Sequence, residues 1–256
     1  MDAIPIRPAL PECTGCDRCS LSKLCLPLAL NTPDMPKLEA VVKRDAPYER
    51  GRKVFEQNGA FSSCYVVRSG AVKTSMASER GDEKILGFYL PGEIFGLDGV
   101  RGSHSCTAVA LERSSICEIP FPTLEGLARE LPDLQHHLFK LMSREITGAE
   151  ELGMLLSKNT ADERIVSLLL TLSSRHARRK LSPTSFRLPM PRGDIANFLG
   201  LAVETVSRVF TRLQKQELIR LNGRQVELLE LTALQNQLKQ AARPDEACPG
   251  YANASR

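Results

Sequence analysis

The spacing of apolar residues changes character along this chain. Between Tyr48 and Pro120, short runs such as SCYVVRSGAVKTSMA and KILGFYL are broken by Gly51, Gly59, Gly70, Gly81, Gly92 and Gly99. Short β-rich runs punctuated by glycine predict antiparallel strands folded into a sandwich, roll or barrel. From Phe121 to Asn159 the spacing lengthens to three and four residues. Leu138, Met142, Glu145, Ala149, Leu152 and Leu156 fall on one stripe. This is the pattern of a coiled-coil seam interrupted by Glu145. A helix packed on its own domain would show a similar stripe. Glu150 and Glu151 lie beside the seam, where like charges from two copies weaken a pair modestly. Such a seam is marginal and therefore controllable.

Thr160-Ala-Asp-Glu163 is a capping box that opens a further helix before IVSLLLTLSSRH. The basic, Pro-broken stretch HARRKLSPTSFRLPMPR reads as a linker or exposed loop. A helix-turn-helix pattern follows, RGDIANFLGLAVETVSRVFTRLQKQ, starting at Arg192. Ala196 falls where the two helices touch, and Gly200 at the turn, where a left-handed backbone is easiest without a Cβ. Val206, Phe210 and Leu213 point inward, with Val209 also in an inward position. Glu204, Ser207 and Arg208 share the opposite face. Glu accepts a hydrogen bond from cytosine N4, and Arg forks onto guanine O6 and N7. Thr205, Arg212 and Lys215 read as phosphate contacts or solvated residues. IRLNGRQVELL then predicts a hairpin with Asn222-Gly223 as a type I′ turn. A DNA reader of this kind usually addresses a two-fold site, which favours the dimer reading of the upstream stripe.

Charge supports that reading. The chain carries +4 overall, yet residues 161–240 hold 13 Lys and Arg against 7 Asp and Glu, a local +6. Concentrated positive charge suits attraction to a phosphate backbone. No apolar run reaches the ~18 residues of a membrane span. The first residues lack the apolar core of a secretory signal, so a cytoplasmic location is expected.

In a reducing compartment, clustered cysteines read as metal ligands or redox thiols rather than disulfides. Cys13, Cys16 and Cys19 are spaced two apart, and Cys25 follows after five more residues. Zinc sites usually pair two such units over a dozen residues or more. Tight triples are more typical of iron–sulfur clusters. Cys64, Cys106 and Cys117 default to small buried residues, and Cys248 to plain exposure. The histidines His104, His136, His137 and His176 have no evident nucleophile or metal partner, and His136-His137 are expected to be solvated. No catalytic constellation is present, so no enzyme is expected.

The strings CDRCSLSKLCLPLAL, VRSGAVKT, GDEKILGFYLPGE, ICEIPF, LLSKNTADER, RLPMPRGDIANFLGL and VETVSRVFTR resemble the CRP/FNR family of bacterial regulators, specifically its FNR branch. The likeness runs from about Cys13 to Leu228. It implies an α+β fold: an N-terminal antiparallel β-roll of the cyclic-nucleotide-binding type, a long dimerisation helix and a C-terminal winged helix-turn-helix. The implied domains are 1–30 (cluster-binding segment), 31–130 (roll), 131–159 (dimerisation helix), 160–240 (DNA-binding domain) and 241–256 (disordered tail). The resemblance further implies a [4Fe–4S] cluster on Cys16, Cys19, Cys25 and Cys117, leaving Cys13 spare although close enough to compete. Ser20 and Leu24 flank ligands and are placed to limit oxygen access.

In the same way Glu204, Ser207 and Arg208 are implied to read a palindrome with TTGAT half-sites. Gly81, Asp82 and Glu83 lie in a loop implied to touch RNA polymerase. Nucleotide-binding members of the wider family hold the phosphate with an Arg-Ser pair. Here His104-Ser105 stands nearby and offers no permanent forked charge, so no cyclic nucleotide is expected. The expected protein is an oxygen-responsive homodimeric regulator of anaerobic metabolism. A zinc- or thiol-based redox regulator of the same fold is the alternative.

Overall fold

The computed structural model describes residues 15–241. Cys13, Cys248 and the 242–256 tail lie outside the described residues. The chain divides into two compact units, one ending at Glu151 and the other beginning at Leu152. The division falls inside the long helix.

In the first unit, a turn-rich segment leads into helix α1 (Met35–Val41) and strand β1 (Lys43–Arg44). Strands β2 (Lys53–Phe55), β3 (Ser63–Ser69), β4 (Val72–Ala77), β5 (Glu83–Tyr89), β6 (Ile94–Phe95), β7 (Thr107–Ala110) and β8 (Ser115–Pro120) follow. They form two four-stranded antiparallel sheets, ordered β1-β8-β3-β6 and β2-β7-β4-β5. Helix α2 (Phe121–Glu130) and the 27-residue helix α3 (Pro132–Lys158) complete the unit and lead out of it. The helical pattern thus contains a break. Leu131 takes an extended backbone ahead of Pro132, as residues before proline are pushed to do.

Strand β3 shows five consecutive buried residues because its sheet is covered on both faces. Tyr65 and Val67 join Phe55, Val72, Phe95 and Ile116 in one core cluster. Cys64 and Val66 face the other way, into a cluster with Leu26, Leu38, Ile119, Leu124 and Leu134. The same period of two places Cys117 beside Ile119 and opposite to Ile116. Strand alternation therefore turns the Cys117 sulfur outward, to the wall lined by the N-terminal segment. Cys64 and Cys106 are buried, as expected. His137 is not solvated: it is 7% exposed, because it lies on the inner stripe of α3 with Leu134.

The second unit holds helix α4 (Ala161–Arg178), strand β9 (Ser185–Arg187), helices α5 (Arg192–Leu199) and α6 (Val203–Lys215), strands β10 (Ile219–Asn222) and β11 (Gln225–Leu228), and helix α7 (Leu231–Ala241). The capping box at the start of α4 is complete in both directions. The stretch read as a linker contributes β9, which pairs with β11 to widen the hairpin into a three-stranded sheet. The hairpin turn is shifted by one residue from the expected place. Asn222 pairs with Gln225, so Gly223 and Arg224 make the turn. Only Gly223 has positive φ (59°), which fits a II′ turn rather than I′.

Candidate cluster site and DNA-reading helix

The loop carrying the first cysteines is held by short local bonds. Cys19 N donates to Cys16 O, Ser22 N to Cys19 O, and Cys25 N to Leu21 O. Pro27 starts a short helical turn, Leu26–Ala29, that buries Leu26 against the core. The loop rests on the turn between β5 and β6. Gly92 has a φ of +89°, and a Cβ there would stand 3.1 Å from Leu24 Cβ. Gly92 is thus the seat of the loop as well as turn punctuation.

Cys16, Cys19, Cys25 and Cys117 line one cavity, walled by Leu26, Leu38, Val66 and Ile119. Two segments far apart in sequence are brought together there. Burial pushes the Cys16 thiol up to about 12, with further push from its contact with Glu39. Burial likewise raises Cys25, and its neighbours Cys117, Cys16 and Cys19 add to the rise. Cys117 is raised by burial, while Arg44 and Arg68 pull it back. Cys16, Cys25 and Cys117 thus each sense other thiols of the set, and a bound cation would reverse this balance and hold them as thiolates. Among the described residues, no three His, Cys, Asp or Glu side chains converge tightly enough to share one metal ion. An all-sulfur donor set is the chemistry that suits soft metals, zinc or an iron–sulfur group among them.

Sequence reasoning missed two residues at this site. Arg44 donates to Cys16 Sγ at 3.1 Å and to both oxygens of Glu39, at 2.5 and 3.1 Å. Glu39 Oε2 in turn accepts from the Cys16 backbone N–H. The Arg44 guanidinium holds the Glu39 carboxyl at about 2. Neither residue carries a motif, and only the tertiary contact reveals them.

On the part of α3 within the first unit, the outward large apolar residues are Phe139 (59% exposed), Met142 and Ile146 (61%), followed by Ala149. Leu138 instead packs on the core of its own unit. The exposed stripe is therefore rotated by one residue at its start relative to the expected seam. It shares Met142 and Ala149 with that seam. Leu152 and Leu156 are half-buried in the second unit. Glu145, which interrupts the seam in sequence, accepts a hydrogen bond from Tyr89. The loop holding Gly81 and Asp82 is exposed and closed by Ser78 N to Asp82 O, and Glu83 pairs with Lys73.

In the second unit α5 ends at Gly200 (φ 62°), whose N–H bonds Asn197 O. Val206, Val209, Phe210 and Leu213 are buried, and Glu204, Ser207 and Arg208 are exposed together on the outer face of α6. Ser207 donates its hydroxyl proton to Val203 O, so its oxygen is left to accept. Among the described residues Glu204 and Arg208 have no side-chain partner. Arg212 is otherwise engaged, in a two-bond pair with Asp162 of α4. Arg192 lies 3.4 Å above the Phe210 ring, joining the two helices of the reader.

Residues 163–237 match the Crp-like helix-turn-helix domain and residues 46–130 the cyclic nucleotide-binding domain. The transcriptional activator protein Anr of Pseudomonas protegens is 51% identical over 216 residues, 84% of this chain and 88% of that one. The fumarate and nitrate reduction regulatory protein of Escherichia coli K12 is 41% identical over 86% of this chain and 88% of its own length. Among solved structures, FixK2 from Bradyrhizobium japonicum is similar with a TM-score of 0.71 and 30% identity, over 77% of this chain and 96% of that one. These relatives are regulators rather than enzymes, and the fold, the reader and the family models agree. The chain belongs to the CRP/FNR family of DNA-binding transcription regulators, in its FNR branch.

Proposed function

We propose that this protein is an oxygen-responsive regulator of anaerobic metabolism. Its Cys16, Cys19, Cys25 and Cys117 would hold a [4Fe–4S] cluster, and two copies would pair through α3 to read a palindrome with TTGAT half-sites. The observation that carries this reading is the shared cavity of four thiols drawn from two distant segments. When bound, the cluster supplies iron that reacts with oxygen.

The chain's own residues do the rest. Ligation at Cys16, Cys19 and Cys25 would tie the loop to β8 through Cys117. Leu24, seated on Gly92, and Ser20, exposed, flank ligands in the sequence and would limit access of oxygen to them. Cys117 lies four residues before the start of α2, and the core beneath it includes Leu124, Leu134 and, at its margin, Leu138. Tension at the sulfur is thereby delivered to the base of α3. Phe139, Met142, Ile146 and Ala149 would meet their counterparts in a second copy. Glu204 and Arg208 would reach base edges, with Ser207 beside them. The exposed Gly81-Asp82 loop, with Glu83 at its foot, is proposed as a polymerase contact. His104 is 2% exposed and stacked on Phe55, so it is not presented to a nucleotide phosphate, and no cyclic nucleotide is proposed.

The test is iron and sulfide analysis of protein purified without oxygen, with Cys117→Ala and Cys13→Ala compared. Loss of iron in the first and retention in the second is expected. Sedimentation and operator binding before and after air should show both dimer and affinity falling together. Ile146→Glu should give a monomer that retains iron. A colourless wild-type protein carrying zinc would replace this reading with a zinc-based one.

A further inference from the structure

We propose that Arg44 is a positioning residue that clamps the loop of the first three ligands onto the strand of the fourth and conditions the Cys16 sulfur. The inference rests on the cluster reading above. Arg44 lies in β1 directly opposite Cys117 in β8, as register partners. On that same face its guanidinium reaches Cys16 Sγ at 3.1 Å and also stands within reach of the Cys117 sulfur. It also grips Glu39 on α1, and Glu39 holds the Cys16 backbone N–H. One side chain therefore joins the helix, both ligand-bearing segments and the first sulfur.

Arginine suits this task for a geometric reason. Its planar fork can serve a carboxylate and a sulfur simultaneously, while a lysine ammonium is a single charge on a flexible stem. The Glu39 contact is charge-assisted and fixes the backbone of the loop, whether or not metal is present. The sulfur contact does something separate. A donor aimed at a ligand sulfur withdraws electron density and raises the reduction potential of the group it binds. Arg44 thus has two consequences, a docked loop in iron-free protein and a tuned potential in loaded protein.

The experiment uses full-length protein, with Arg44→Leu, Arg44→Lys and Glu39→Ala. In iron-free protein, hydrogen exchange of the peptide containing Cys16 is expected to quicken roughly tenfold in Arg44→Leu and Glu39→Ala, and by less in Arg44→Lys. In anaerobically loaded protein, the midpoint potential is expected to move negative in Arg44→Leu and to return part-way in Arg44→Lys. Unchanged exchange would overturn the proposal. Faster exchange with an unmoved potential would overturn it too, reducing Arg44 to a structural ion pair. Should Arg44→Leu fail to fold, Arg44→Lys supplies both measurements. A wild-type protein that takes up no iron would sink the cluster reading alone, since the exchange arm needs no metal.

Discussion

Tyr89 donates a hydrogen bond to Glu145 at 2.9 Å, linking the end of β5 to the middle of α3. Burial, and then the nearby Glu145 charge, hold the Tyr89 phenol well above its usual range, so it stays a donor at any physiological pH. The bond explains how a carboxylate can occupy a seam. Glu145 is drawn toward the roll, away from the line of Phe139, Met142 and Ile146. Tyr89→Phe should cost about 0.5–1.5 kcal/mol in urea unfolding of the first unit. It should also raise the dimer dissociation constant, because Glu145 then turns to the facing helix.

Gly92→Ala places a Cβ 3.1 Å from Leu24 Cβ on a left-handed backbone. The strain of that backbone alone is about 1–2 kcal/mol. The loop, which among the described residues has no strand or long helix of its own, should yield before the roll does. Limited proteolysis within 15–30 should speed up and iron content should fall, with the melting of the roll little changed. A large drop in thermal stability with intact iron would contradict this.

Arg208 and Arg212 lie one helical turn apart but should behave differently. Arg208→Ala should lose about 1–3 kcal/mol of operator binding and relax discrimination at one base pair. Arg212 is paired with Asp162, so Arg212→Ala should leave the salt dependence of binding nearly unchanged. Its exposed ion pair should contribute at most about 1 kcal/mol to stability. Binding titrations at several salt concentrations separate the two outcomes.

His137 gives the first unit a pH signature. Among the described residues its Nε2 is buried without a hydrogen-bond partner, and burial, with Arg144 and Lys140 adding to it, pushes its pKa down. The unfolded chain therefore takes up the proton first. Stability should be lost as pH falls through the ordinary histidine value near ~6.5 and stop falling below the depressed folded value. Urea midpoints of wild type and His137→Leu should run parallel above pH 7 and diverge below it, with the variant keeping more of its stability.

Much of this was readable from residue order, and the failures have physical causes. The helix-turn-helix and the inward set Val206, Phe210 and Leu213 follow from a helical period that packing did not override. Gly200 sits where only a left-handed residue closes the turn. Leu138 packs on the core of the first unit, which claims the start of α3, and a stripe cannot reveal which neighbour covers it. His137 was misjudged for the same reason. Cys117 looks like an ordinary strand residue from spacing alone, and only the family resemblance marked it before the fold brought it to the N-terminal loop. Arg44 and Glu39 act only through tertiary contact, so no local pattern could mark them.

Several cations of the second unit are engaged by the protein itself. Arg164 serves the carbonyls of Leu156, Asn159 and Leu199, Arg192 covers a phenyl ring, Arg224 reaches Pro189 O, and Arg212 answers Asp162. Formal charge therefore overstates the pull on a polyanion. A protein of this kind should release ordinary genomic duplex quickly, so that residence time is decided where base edges match rather than wherever phosphate is dense.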